Sequence, residues 1–331
     1  MDWAPIFTNS IQAAIGPEAV VYCLAAIGLN IHFGYTGLLN FGQAGFMAIA
    51  GYGLAASVVT FGLPFWLALL IGLGGTVVFA LLLGVPTLRL RADYLAIVTI
   101  AAAEIVRQLL GSQALRDWFG GKDGRQGFSD PLRAINPFTQ DVDLGFMSFS
   151  PFEFWVMVIG WILVALCCLV VWALMRSPWG RVLKAIREDE DAVRSLGKNV
   201  YGYKMQSLIL GGLIGGLAGF IMGLSRSSIV PDNFQADITF FAWTVLLLGG
   251  AATVFGPVVG AILFWLLISV LGNFFSQATA GPDPLMPVWL MDQNQASLVR
   301  FIVLGLALML LMIFRPQGIF GDKRELAINA R

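Results

Sequence analysis

Residues 177–204 read SPWGRVLKAIREDEDAVRSLGKNVYGYK, a charged island in a strongly apolar chain. Arg181, Lys184, Arg187, Glu188, Asp189, Glu190, Asp191 and Arg194 crowd into one short window. Pro178 suits a first helical turn, and Gly197 followed by Lys198 marks a stop. Lys184 with Glu188 and Arg187 with Asp191 stand four residues apart, the spacing at which opposite charges support a helix. Val182, Ile186, Val193 and Leu196 form a thin apolar stripe. The pattern predicts one short amphipathic helix outside the bilayer, held between two membrane spans. Two roles remain open for it on these residues alone, a docking element or a plain solvated connector.

The rest of the chain sets that island in context. Of 331 residues, 58% are hydrophobic and 12% charged, with a mean hydropathy of +0.80. Soluble domains carry about a quarter charged residues, so the composition predicts an all-α protein, a polytopic transmembrane helical bundle of about eight to ten spans. The 38 glycines suit close helix packing and broken helices within a membrane. Cys23, Cys167 and Cys168 all lie in apolar runs, which is neither a disulfide framework nor a metal site. His32 is the one histidine, too few for a metal or haem cluster. A net charge of zero and the lack of a basic patch with interleaved aromatics predict no nucleic-acid partner. No cofactor is expected.

Read in order, residues 1–17 form an interfacial lead-in. Spans are expected at about Glu18–Phe33, Ala44–Phe61, Phe65–Val85, Tyr94–Leu110, Phe152–Met175, Met205–Leu224, Ile238–Val254, Val258–Phe275 and Leu298–Phe314, with the third ending at Pro86. With no Lys or Arg before Arg89, the first apolar run is expected to be a span and not a cleavable signal. Residues 111–150, rich in Gly, Asp, Pro and Arg, read as an extended loop with one short helix. The whole chain is one transmembrane domain. Placing 177–204 in the cytoplasm puts Arg89, Arg91 and the tail 315–331 there too, and 111–150 outside, so that roughly thirteen of the 20 basic residues lie inside, as the positive-inside rule requires.

Two glycine-rich interruptions carry the remaining candidates. In GYTGLLNFGQAGF (34–46), Gly37, Gly42 and Gly45 let the backbone leave helical geometry or let another helix approach. Asn40 and Gln43 need partners or water at that depth. They either line a polar path through a broken helix or make a tight interhelical contact. LLLGGAATVFGPVVGA (246–261), with Gly249 and Gly250, is a weak echo of the first break. Glu104 is either a functional intramembrane carboxylate or the partner of Arg107 one turn on, and its spacing favours the pair. His32 reads as a satisfied residue near a span end. There is no P-loop, G-x-S-x-G or H-E-x-x-H pattern, so neither ATP hydrolysis nor a hydrolase activity is expected of this chain. Ion coupling by a self-sufficient channel or secondary transporter would rest on Glu104, Asp93 and Glu153 alone.

Five stretches, 34–52, 88–110, 180–204, 246–261 and the terminal FRPQGIFG (314–321), together resemble the LivM-type permease subunit of branched-chain amino-acid ABC importers, in the family's order and over most of the chain. In the charged loop, 191–197 (DAVRSLG) resembles the EAA-x3-G signature, with Asp191 for Glu and Val193 for the second Ala. The resemblance implies that the loop is the coupling helix, with Arg181, Lys184, Ile186, Arg187, Glu188, Asp189, Glu190, Asp191, Ala192 and Gly197 serving the ATPase. It implies a substrate path involving Gly37, Asn40, Gly42, Gln43, Gly45, Glu104, Gly249 and Gly250. It also implies a second, LivH-type permease subunit, two ABC ATPase subunits, an extracytoplasmic binding protein, a lipid surround and a bacterial inner-membrane location. Urea and short amides are alternative cargoes within the same family.

Overall fold

A computed structural model describes residues 3–89, 92–143, 145, 147–279, 293–315 and 317–321. Arg91, most of the polar segment between Ser276 and Ala296, and the tail after Gly321 lie outside the described residues, as does the side chain of Asp93. The longer helices are α1 (Trp3–Ile15), α2 (Pro17–Leu29), α3 (Gln43–Val59), α4 (Phe65–Thr87), α5 (Ala92–Leu110), α6 (Pro151–Arg176), α7 (Pro178–Glu188), α8 (Glu190–Ser195), α9 (Val200–Arg226), α10 (Ala236–Gly249), α11 (Gly256–Thr279) and α12 (Gln293–Phe314).

The bundle is built around α2. Every residue of PEAVVYCLAAIGL except Glu18 is buried, as a helix that is apolar all round must be. It packs against α6, α9, α10 and α11. The interfacial lead-in is itself a helix, α1, lying along α11. It buries Ile6, Ser10 and Ala14, and Ser10 Oγ donates to Ile6 O, 2.6 Å away.

Among the described residues, five helices are long and apolar enough to cross a membrane: Pro17–Tyr35, Phe65–Thr87, Pro151–Arg176, Val200–Arg226 and Gly256–Thr279. Tyr94–Leu110 joins Gln113–Phe119 at a bend of 59°. Gln43–Val59 and Leu298–Leu311 are shorter apolar helices, and α10 has 14 residues. Gln43–Val59 adjoins the first break and α10 the second, where non-helical chain takes up part of the depth that helix would otherwise span. The third span runs through Pro86 to Thr87.

Two expectations need correction. The 111–150 segment is folded. It carries short helices at Arg116–Phe119 and Asp130–Ala134 and a two-residue ladder, Arg125–Gln126 against Ser228–Ile229, that ties it to the end of α9. Phe128, Leu132 and Phe149 anchor it as buried residues, isolated apolar positions too sparse to register as a periodic run. The charged segment is two helices, because Asp189 adopts an extended backbone (φ −153°, ψ 101°) and caps α8 by accepting from the Ala192 N–H at 3.0 Å.

Helix contacts are set by glycine. A Cβ on Gly219 of α9 would lie 2.1 Å from Met47 O of α3, whereas one on Gly74 of α4 would meet nothing within 4 Å. Gly219→Leu is therefore expected to remove most of the monodisperse protein on size exclusion in detergent, since forcing these backbones apart costs at least the ~1–3 kcal/mol of ordinary overpacking. Gly74→Leu is expected to leave the yield unchanged. Equal yields for the two would contradict this packing.

Candidate functional site

The two glycine-rich interruptions, the charged loop and the tail meet in one place. The first break begins as a π-helical turn over Asn30–Tyr35, a wide turn that leaves carbonyls without the usual partner. The Thr36 hydroxyl, donating at 2.9 Å, and the Ser207 hydroxyl at 3.2 Å both serve Ile31 O. Gly37 turns the chain at φ +75°, and residues 37–42 run without helix into α3.

In that non-helical run Leu38, Asn40 and Gly42 are buried and Gly37, Leu39 and Phe41 partly buried, and side chains bond much of its polar surface. Asn40 Nδ2 contacts His32 Nδ1 at 3.0 Å and Gln43 Oε1 at 3.2 Å, while Asn40 Oδ1 accepts from the Gly42 N–H at 2.8 Å. His32 Nε2 faces Leu208 O at 3.1 Å. A carbonyl only accepts, so Nε2 carries the proton and Nδ1 accepts from Asn40. The Phe41 N–H donates to Thr99 Oγ1 at 2.9 Å, the Ala44 N–H to Thr239 Oγ1 at 3.0 Å, and Trp243 Nε1 to Asn40 O at 3.0 Å. His32, Asn40 and Gln43 are each fully buried. Gly42 abuts Thr99 O, and Gly45 abuts Ala103 of α5.

The second break reverses the chain between α10 and α11. Gly250 has φ +111° and Ala252 φ +61°. Thr253 Oγ1 donates to Gly250 O at 2.8 Å and accepts from the Gly256 N–H at 3.1 Å. The breaks touch through Asn30, whose amide donates to Thr253 O at 2.7 Å and accepts from the Ala252 N–H at 2.8 Å. From the other side the tail caps α10, its Ile319 and Phe320 N–H groups donating to Leu248 O and Gly249 O at 3.1 Å each.

The charged loop closes this knot with Arg187. Its Nη1 donates to Gly34 O at 2.5 Å, and its aliphatic stem runs 3.5 Å from where a Cβ on Gly37 would be. Lys184 Nζ stands 5.8 Å from the centre of the Tyr35 ring. The anticipated Lys184–Glu188 and Arg187–Asp191 pairs give way to others. Arg194 bonds Asp191 at 2.9 Å and Glu190 at 2.8 Å, and Lys204 bonds the other oxygen of Glu190. Leu183, Ile186 and Val193 face inward, while Leu196 is 79% exposed. Arg181, Lys184, Glu188, Asp189, Asp191 and Ala192 are exposed, and Glu190 and Arg187 are partly buried. Gly197 (φ +74°) ends α8 with two bonds, its own N–H to Arg194 O and the Lys198 N–H to Val193 O, a Schellman motif.

Glu104 stands apart from the knot. Arg107 grips it at 2.6 Å and also binds Asp232 at 2.9 Å, and Gln108 donates to it at 2.8 Å. The carboxylate is 45% exposed, on the outer surface of the chain. The knot-forming residues that the motifs did not single out include Asn30, Thr99, Ser207, Thr239 and Trp243. All but Trp243 are small polar residues inside apolar runs, a cost at membrane depth that signals a partner.

A polytopic helical bundle with two broken helices gripped by a charged loop is the architecture of a multi-pass membrane permease. Residues 16–313 match the family described as "Branched-chain amino acid transport system / permease component", and the chain belongs to that family. It is 30% identical over 328 residues to the high-affinity branched-chain amino acid transport system permease protein LivM of Salmonella typhimurium, covering 95% of this chain and 71% of that one. It is 31% identical over 326 residues to LivM of Escherichia coli, with the same coverage. The probable LivM of Methanocaldococcus jannaschii is 27% identical over 343 residues, 92% of this chain and 91% of that one.

Asn40→Leu would strip a bond from Gly42 N–H and one from each of His32 and Gln43. An unmet buried group costs about 1–3 kcal/mol. The expected result is a lower melting temperature and less folded protein in detergent, with transport per folded molecule unchanged. Normal stability with reduced transport would instead make Asn40 a path-lining group.

Proposed function

We propose that this chain is one of two permease subunits of an ABC importer for branched-chain or other neutral amino acids, seated in a bacterial inner membrane and driven by ATP hydrolysis on two partner ATPase subunits. The observation that carries the proposal is the two-faced loop. Its outer face offers exposed charge, Ala192 and the bare Leu196, the chemistry of a helix that seats in a groove of another protein. Its inner face puts Arg187 on the carbonyl of Gly34, at the edge of a broken helix. A partner that moves the loop therefore moves the break.

On this proposal 177–204 and the tail are cytoplasmic, 111–150 faces outward and receives an extracytoplasmic binding protein, and a LivH-type subunit supplies the other half of the path. Gly37, Asn40, Gly42, Gln43, Gly45, Gly249 and Gly250 shape the wall of the path from behind, and Glu104 with Gln108 faces it. A carboxylate on the outer surface of a span does not face hydrocarbon, which charged groups avoid. Its grip by Arg107 disfavours ion coupling, the requirement of a self-sufficient secondary transporter.

Topology is testable with single cysteines, because the native ones are buried. Thr139→Cys and Ser195→Cys, both at exposed positions, should label from opposite sides of sealed vesicles; labelling from one side would overturn the orientation.

The function is tested with the complex reconstituted from neighbouring ATPase, permease and binding-protein genes, measuring ATP hydrolysis and uptake with leucine, other neutral amino acids and urea. Stimulation by leucine with its binding protein is expected. Ala192→Glu should place an unpaired charge in the partner groove. Gly197→Val should strain a left-handed backbone by about 1–2 kcal/mol. Both should weaken ATPase co-purification. Arg187→Gln should leave co-purification intact and cut uptake per hydrolysed ATP. Wild-type values in all three variants would make the loop a simple connector.

A further inference from the structure

On the outer surface of the bundle, α6 and the end of the second break enclose an elongated groove of about 440 Å³ lined by Trp161, Val164, Cys168, Trp172, Phe255 and Val258. The lining is almost wholly apolar. Along α6 the stretch from Trp161 to Trp172 covers 11 steps, about 16 Å at 1.5 Å per residue, close to the ~15 Å hydrocarbon depth of one leaflet. The groove is thus the length of one acyl chain lying parallel to the helix.

Its end is marked by charge. Arg176, the last residue of α6, lies with its guanidinium carbon 4.1 Å from the centre of the Trp172 ring. The contact places the guanidinium over the ring, and no hydrogen bond or ion pair of this exposed guanidinium is found among the described residues. A planar cation one turn beyond the apolar lining, with no ion-pair partner among the described residues, fits an oxygen anion. An apolar groove one leaflet long, ending in such a cation, fits a phospholipid of net negative charge.

We propose that this groove is a binding site for an anionic phospholipid, one acyl chain lying between Trp161 and Trp172 and the phosphate on Arg176. The site matters because its far wall is the second break. Cys168 Sγ approaches Val254 O at 3.8 Å, and Phe255 and Val258 flank the turn into α11. A bound chain therefore lies against the Gly250–Phe255 turn at Phe255, which is exposed. The assignment to the cytoplasmic leaflet rests on the orientation proposed above; the site itself does not.

The test uses the full chain, alone and in the assembled complex, in phosphatidylcholine vesicles with lipid present in both leaflets. Brominated phosphatidylglycerol and brominated phosphatidylcholine are compared, at equal mole fraction, as quenchers of tryptophan fluorescence. One cation near anionic headgroups gives about fivefold preference, so the phosphatidylglycerol probe should quench more strongly at low mole fraction. Arg176→Gln should abolish the difference, Arg176→Lys should retain most of it, and Ala165→Phe, which fills the groove beside an intact Arg176, should reduce it. Equal quenching by the two probes in the wild-type chain would overturn the site, as would full preference in Arg176→Gln. A preference in the isolated chain that vanishes in the complex would overturn it too, showing the groove to be covered by the second permease subunit. Because the measurement needs neither ATP nor cargo, its failure is distinct from failure of the transport assays.

Discussion

A backbone N–H or C=O without a partner in hydrocarbon costs several kilocalories per mole, and this chain breaks its helices twice at membrane depth. The bonds at the breaks answer that constraint. Ile31 O is met by two hydroxyls, Asn40 O by an indole, Phe41 N–H and Ala44 N–H by threonines, and Ala252 N–H with Thr253 O by a single asparagine. Leu248 O and Gly249 O are met by backbone donors from the tail. Neutral groups suffice at all these positions, avoiding the desolvation of buried charge. The cation that bonds the first break, Arg187, comes from the rim and reaches a carbonyl at the end of a helical turn, where the backbone dipoles favour positive charge.

Much of this architecture is visible in the residues. Long apolar runs, glycine clusters and the charged island mark the helices and both breaks. The 191–197 signature marks the end of the charged loop, and the i,i+3 spacing marks the Glu104–Arg107 pair. Three features are not legible locally. The split at Asp189 depends on a capping bond that competes with helix propagation, and in a run of charged residues either outcome is compatible with the pattern. The folded 111–150 segment is built from isolated anchors such as Phe128, whose burial depends on α9. The contact of Asn30 with the second break joins residues 222 apart in sequence, a tertiary relation that periodicity does not encode.

Asn40 and Gln43 illustrate how the same residue type supports opposite roles. An amide in an apolar run must be paired with protein or with water. Here the pairing closes on itself through His32, Gly42, Ala25 O and Gly211 O. These side chains hold the broken helix in one shape, and the surface they stabilise is presented by the backbone in front of them. Glu104 has the opposite character, being gripped by its own helix yet open on the outside of the chain.

The way the loop is mounted decides what a displacement of it does. α6 runs into α7 through Ser177 alone, and α8 returns to α9 through the four residues 196–199, each entry capped by a side chain, Ser177 and Asn199. Both long helices pack against the buried α2, and α2 continues into the π-helical turn whose Gly34 carbonyl holds Arg187. A displacement of the loop therefore reaches the first break by three routes, two through helices and one through a guanidinium. Packed helices transmit displacement with little compression, so a shift too small to break α6 or α9 still moves Gly34. Asn30 lies four residues before Gly34 on the same turn and holds the second break, which cannot stay fixed while the first one moves. Coupling of the two breaks thus follows from one asparagine on the π-helical turn and one arginine that reaches the same turn from α7, and it requires no path of long-range communication beyond these contacts.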